Sequence, residues 1–321
     1  MYSLGFDIGG TKCAVILGKG EMPEKHDDLI IDKIAFPTRV SRGWQEILQE
    51  MLDTADTLLK RNKVDDPAGQ LVGIGISCGG PLNSKRGTIN CPPNLPDWDN
   101  VPICDIFEKH FGLRPNLQND ANACAVAEWK FGSGKGTENM VFLTFGTGMG
   151  AGLILDGKLY SGTNDMAGEV GHIRLSDDGP EGYGKCGSFE GFCSGGGIAR
   201  LGKMMMEKAK AEGKESSLFS EEEISAKTIA IAAKNGDALA REIYTACAAK
   251  LGMGLSILID ILNPEAIVIG SVYSRSKELF DDVINDIIKK EALFWSHEVC
   301  KILPATLGDS IGDFAALGLA F

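Results

Sequence analysis

Residues 4–12 read Leu-Gly-Phe-Asp-Ile-Gly-Gly-Thr-Lys. The pair Gly9-Gly10 can bring backbone N–H groups close to an anion because no Cβ stands in the way, and Thr11 and Lys12 add a hydroxyl and a positive charge. Asp7 would repel a bare phosphate, so beside such a cradle its carboxylate makes sense as a partner for Mg²⁺. Taken alone, the same residues also describe a β-hairpin whose Asp and Gly merely serve the turn.

Four further places carry polar groups of chemical interest. Gly80 ends an apolar run in Cys78-Gly79-Gly80-Pro81, where strand termination leaves backbone exposed to a ligand. Asn94, in a proline-rich loop, could donate to and accept from a hydroxyl-rich ligand, although an Asn after Pro also suits a turn. Asn119-Asp120 precedes a helical stretch. There Asp120 reads either as an ordinary N-cap or as a carboxylate, ringed by the amides of Asn119 and Asn122, that takes a proton from a substrate hydroxyl. Between residues 168 and 198, Glu169, His172 and Glu190 lie in an irregular, glycine-rich stretch whose polar side chains no amphipathic face explains.

The elements that must position these groups follow from hydrophobic period. Residues 2–6 and 13–17 form two short strands about the first glycine turn, and 29–36 is a third. Apolar residues recur at three and four residue spacing from Trp44 to Leu59, which predicts a helix over 43–60 covering one face of the sheet. Residues 71–77 are near-continuously apolar, as in a strand buried on both faces, and 90–102 reads as an ordered loop. Helices are expected over 124–131, 198–212, 220–235, 237–262 and 312–321, with a buried strand at 265–271.

The opening pattern returns in 143–158 at a constant offset of 139, where Leu4, Phe6, Gly9, Gly18 and Lys19 meet the same residue types. Two copies of one strand-turn-strand unit would offer two glycine turns, the second being Gly146-Thr147-Gly148, and copies facing each other would converge on one polyphosphate. Neither turn gives GxGxxG and no GxxxxGK[ST] occurs, which disfavours a dinucleotide fold and a P-loop enzyme.

A length of 321 residues suits two domains, and 44% hydrophobic residues allow packed cores. The net charge of −12 argues against a nucleic-acid partner. The longest apolar stretch, 251–269, is interrupted by Asp260, Asn263, Pro264 and Glu265, so no membrane span is expected, and with no signal core at the N-terminus the expected location is the cytoplasm. Nine scattered cysteines without a CxxC pair read mostly as reduced, buried thiols.

Together, Asp7 to Lys12, Asn119-Asp120, Phe145 to Gly148, Gly168-Glu-Val-Gly-His172 and Asn263 to Gly270 resemble the ROK family of bacterial sugar kinases and repressors, in order along the whole chain. The resemblance implies an α/β, actin-like ATPase (ribonuclease H-like) fold of two lobes with a central cleft. The small lobe would be 1–120 with a C-terminal helix at about 310–321, and the large lobe 121–309. It further implies Mg²⁺ and phosphate contacts from Asp7, Gly9, Gly10, Thr11 and Lys12, a second phosphate turn at Gly146, Thr147 and Gly148, and Gly270 on the nucleoside side. Gly80, Asn94, Asn119, Asp120, Glu169, His172 and Glu190 would meet the sugar, with Asp120 the general base. The implied protein is an ATP-dependent kinase of a hexose or N-acetylhexosamine, glucokinase-like and homodimeric.

The chain departs from the family in one motif. Members commonly carry a zinc sequence CxCGxxGCxE that ends in the sugar-binding glutamate, and counting back from Glu190 places its cysteines on Glu181, Tyr183 and Ser188. Only His172, the fourth ligand, remains, so no structural zinc is expected. Packing by Tyr183, Phe189 and Phe192 is expected to order the loop instead. Where Gly often follows Gly270 the chain has Ser271. Two other readings stand beside the kinase. A repressor needs a DNA-binding region ahead of the first strand, and here Asp7 is the seventh residue; a non-catalytic sugar sensor would keep the fold with a degraded site.

Overall fold

The computed structural model describes residues 1–23 and 25–321. The chain divides into two units, one of Met1–Gly136, Leu159–Ala167 and Leu307–Phe321, the other of Thr137–Lys158 and Gly168–Thr306. The helix Asp120–Phe131, which the sequence reading assigns to the large lobe, belongs to the first unit, where it packs on the C-terminal helix Ile311–Gly318.

In the first unit, strands β1 (Tyr2–Ile8), β2 (Lys12–Lys19), β3 (Ile30–Pro37), β4 (Leu71–Cys78) and β5 (Asn116–Asn119) make one sheet in the order β3-β2-β1-β4-β5. The first three are antiparallel, while β1, β4 and β5 run parallel. Register then gathers the site: Ile8 pairs with Cys78 and Cys78 with Asn119, so Asp7, Gly80 and Asp120 all lie at the carboxyl ends of adjacent parallel strands, where such sheets bind ligands. The helix Trp44–Arg61 buries Ile47, Leu48, Met51, Leu52, Ala55, Leu58 and Leu59, the face its spacing predicts.

The second unit repeats this plan. Strands β6 (Met140–Phe145), β7 (Met149–Leu155), β8 (Lys158–Tyr160, of which only Lys158 belongs to this unit), β9 (Ala266–Ile269) and β10 (Lys301–Pro304) are ordered β8-β7-β6-β9-β10, again with an antiparallel hairpin followed by parallel neighbours. The internal repeat is therefore one of topology. The offset of 139 does not superpose the turns, since it lays Gly9, which opens the first turn, on Gly148, which closes the second.

The helix Ala238–Leu262 is long and apolar enough to cross a membrane, and half of its most apolar window is buried. It begins at Asp237, whose side chain accepts the Ala240 N–H as N-cap, and ends with Asn263 in the left-handed region ahead of Pro264. The helix expected over 220–235 is shorter, Ala226–Lys234, because the Ser225 and Thr228 side chains form a reciprocal cap and start it late.

Candidate active site

The first unit holds the first glycine turn. Gly9 N–H donates to the Lys12 carbonyl at 3.0 Å, closing the turn. The turn is held from outside by Thr38, fully buried, whose hydroxyl donates to the Gly9 carbonyl at 2.6 Å and whose N–H donates to the Thr11 carbonyl at 3.0 Å. With those carbonyls engaged on the sheet side, Thr11 and Lys12 stay exposed. Asn94 is seated against this turn: a Cβ on Gly10 would stand 2.5 Å from the Asn94 carbonyl oxygen, so the close approach requires glycine.

Asp7 is half-buried, and its carboxyl is pushed up to about 6, first by burial and then by the nearby negative charge of Asp313. Asp313 is itself held by Lys33, whose ammonium lies 2.5 Å from its carboxylate. Asp7 offers carboxylate oxygens, hard ligands of the kind Mg²⁺ takes, and a cation there would favour the ionised form of a carboxyl that burial works against. Its chemistry fits Mg²⁺.

At the end of β5 the structure separates two roles that the sequence left together. Asn119 is the N-cap, with extended backbone, and its side chain accepts the Asn122 N–H at 2.8 Å. Asp120 is the first helical residue, and its carboxylate accepts the Ala121 N–H at 2.8 Å. Asp120 is thus not the cap. The expected ring of amides around it is also absent, because the Asn122 side chain is buried and donates to Gln118 at 3.0 Å. Asp120 is open to solvent at its tip, yet the protein around it removes enough water to push its pKa up. Gly80 lies beside it, 3.7 Å from the Asn119 Cβ if given a side chain.

The second unit holds the second turn, Gly146 to Gly148, with Thr147 exposed. The Gly146 carbonyl accepts the N–H of Gly195 at 2.7 Å, so the glycine-rich start of helix Gly195–Ala211 is packed beneath the turn. Glu190 Oε2 accepts the Met149 N–H at 2.9 Å, and a Cβ on Gly148 would stand 2.8 Å from that oxygen. Glu169 precedes the single turn Val170–His172 and His172 ends it, and a Cβ on Gly171 would stand 3.2 Å from the Glu190 Cβ. Glu169, His172, Glu190 and the second glycine turn are therefore one neighbourhood. Gly270, buried at the end of β9, donates its N–H to Leu143 at 3.0 Å.

The donors where the resemblance places zinc do not fit that metal. Glu181 and Tyr183 are exposed, and Ser188 is fully buried with its hydroxyl accepting from Gly191 and donating to Gly182. Cys193 is buried against Cys247, and Cys186 is exposed. One imidazole without thiolates is a poor zinc site. Of the aromatics expected to order this loop, Phe189 and Phe192 are buried, the latter under Lys250, whereas Tyr183 is 72% exposed and makes a T-shaped contact with the His172 ring.

Two residues that hold this machinery were missed from sequence. Thr38 follows Pro37 with no motif around it. Asp313 gave a weaker signal: it is a lone carboxylate in the small-residue helix Ile311–Gly318.

The sequence model of the ROK family matches residues 3–320. The chain belongs to the ROK family. It is 31% identical over 326 residues to a glucokinase of Streptomyces coelicolor, covering 99% of this chain and 97% of that protein. It is also 31% identical over 309 residues to a xylose repressor of Caldicellulosiruptor bescii, covering 95% and 74%. Among solved structures, a ROK family glucokinase from Streptomyces griseus in complex with glucose and AMPPNP matches with a TM-score of 0.72 and 29% identity, over 100% of this chain and 99% of that one. The fold of this ROK protein is accordingly the actin-like ATPase, ribonuclease H-like α/β fold, with two five-stranded sheets.

Proposed function

We propose that this ROK protein is an ATP-dependent sugar kinase that transfers the γ-phosphate to a hydroxyl of a hexose or N-acetylhexosamine, glucose being the first substrate to test. The observation that carries the reading is Asp120. It is a carboxylate released from capping duty by Asn119 and raised in pKa by its surroundings, and it stands at the carboxyl ends of the same strands as Asp7 and the first glycine turn. The similarity to glucokinases supports it.

In this reading Asp120 accepts the proton of the attacking hydroxyl. The first turn offers its exposed Thr11 and Lys12 to phosphate oxygens, and the second turn offers Gly146, Thr147 and Gly148. Asp7 is the residue that would hold Mg²⁺, which when bound neutralises charge on the phosphoryl oxygens. Asn94, Asn119, Glu169, His172 and Glu190 present the amides, carboxylates and imidazole that fix the hydroxyls of a sugar, with Gly80 leaving room beside Asn119 and Gly270 serving the nucleoside. The expected assembly is a homodimer in the cytoplasm with no nucleic-acid partner. The second reading, a sugar-responsive regulator without catalysis, is favoured by one observation, the equal identity to a xylose repressor.

The deciding experiment is ADP release with Mg-ATP across hexoses and N-acetylhexosamines, run beside Asp120→Asn. Turnover with one sugar, reduced by roughly 10²–10⁴-fold in the variant, is the expected result. Sugar binding without sugar-stimulated turnover would overturn the kinase reading in favour of the regulator.

A further inference from the structure

The loop that carries His172 is closed by a hairpin whose chemistry differs from the metal site the family resemblance implies. Glu181–Gly182 pairs with Lys185–Cys186, leaving Tyr183 and Gly184 as the two central residues, with φ of 47° and 75°. Two positive φ values make this a type I′ turn, in which Asn-Gly is the favoured pair. A tyrosine in that first position is strained, because its Cβ and bulky ring are disfavoured in the left-handed region. Backbone strain of this kind persists where the surrounding structure over-determines it, and it points to a use for the side chain.

Tyr183 and Lys185 grip one residue at two points. The Tyr183 ring and the imidazole of His172 meet in a T-shaped arrangement, with centroids 5.2 Å apart and planes at 80°, and the Lys185 ammonium donates to the His172 carbonyl at 2.6 Å. A parallel tie runs from Arg174, whose guanidinium donates to the Cys186 carbonyl at 2.8 Å. Backbone bonds complete the stitching: Phe189 N–H donates to Ile173 at 2.8 Å, and Leu175 N–H to Gly187 at 2.9 Å. Lys185 is half-buried, so water competes with its carbonyl contact less than at an open surface.

We propose that Tyr183 and Lys185 are positioning residues that orient His172 for its ligand, and that this two-point grip cross-links the loop without a metal ion. The role of His172 as a sugar ligand rests on the reading given above; the grip itself does not. The ring contact limits rotation of the imidazole and the ammonium fixes the peptide that carries it, so the hairpin sets the direction in which the ring nitrogens face.

The test compares Lys185→Met, Lys185→Arg and Tyr183→Asn with the unmodified protein by two measurements. Amide hydrogen exchange over residues 172–188, in sugar-free protein, reads the grip whether or not any sugar is a substrate. Faster exchange in Lys185→Met, restored by Lys185→Arg, is expected. Steady-state kinetics then read the function: KM for the sugar rises about tenfold in Lys185→Met, as for loss of one charge-assisted hydrogen bond, with kcat and the KM for ATP unchanged. Tyr183→Asn separates positioning from folding, because it relieves the turn and keeps the hairpin protected while it raises the sugar KM. Unchanged exchange in Lys185→Met, or stoichiometric zinc in the purified protein whose removal alone loosens the loop, overturns the proposal. Absence of turnover with every sugar, alongside the expected exchange pattern, removes the kinase reading and leaves the grip standing.

Discussion

Glu190 Oε2 accepts the backbone N–H of Met149 at 2.9 Å, at the residue that follows the second glycine turn. One carboxylate therefore holds the start of β7 while its Cβ lies against the Glu169–His172 turn. A side chain that the proposed function gives to the sugar is also a fixture of the second glycine turn.

Glu190→Ala leaves the Met149 N–H without that acceptor and frees the turn, so it is expected to raise the KM for both sugar and ATP, each by roughly 10-fold or more. His172→Ala removes a group that makes no such tie to the turn and should raise the sugar KM alone. Initial rates with each substrate varied in turn check the pair, and an ATP KM unchanged in Glu190→Ala would show that the turn stands without the carboxylate.

Thr38 gives the corresponding prediction for the first turn. Its hydroxyl bond to the Gly9 carbonyl is buried, so Thr38→Val keeps the volume and leaves that carbonyl short of a donor. A loss of about 1–3 kcal/mol in unfolding free energy is expected, together with a higher KM for ATP, and Thr38→Ser should restore most of both. Chemical denaturation and nucleotide titration measure the two effects; a Thr38→Val protein with wild-type ATP affinity would make the residue purely structural.

In the proposed kinase, Asp120 is expected to set the acid side of the rate profile. A carboxylate acts as a base only when ionised, and desolvation by the protein around it raises the Asp120 pKa, so the proposed activity is expected above that raised value and is lost as pH falls through it. The fall in kcat/KM should therefore begin at higher pH than for an unperturbed aspartate of about 3.9. Measured at saturating Mg²⁺, which in the proposed site would keep Asp7 ionised, a profile flat down to the ordinary aspartate range would exclude Asp120 as the base.

Much of this arrangement was legible because period and composition act locally. The helix Trp44–Arg61 and the buried strand Leu71–Cys78 follow from the spacing of apolar residues alone. The boundary between Asn119 and Asp120 was not legible, since both residues cap helices well and only the extended backbone at Asn119, ψ 161°, decides between them. Thr38 and Asp313 act across 29 and 280 residues, on Gly9 and Lys33, and no local pattern records such partners. The type I′ turn at Tyr183 escaped for a different reason: tyrosine is not a residue that announces a positive φ.

Ser271 is the remaining local conflict between sequence and backbone. It follows Gly270 at the end of β9 with φ 49° and ψ −104°, a region that suits glycine and costs other residues about 1–3 kcal/mol. Its carbonyl still accepts the Arg275 N–H at 3.2 Å, a bond that a change of side chain leaves in place. Ser271→Gly removes the strain and returns part of the gain as added freedom of the unfolded chain, about 0.5–1 kcal/mol. The net expectation is stabilisation by about 1 kcal/mol, or roughly 2–4 °C in the melting transition of a unit of this size. Thermal unfolding measures it directly. A lower melting temperature would mean that the Ser271 hydroxyl makes an interaction worth more than the strain, and nucleotide affinity measured on the same variant would then tell whether that interaction is with the ligand.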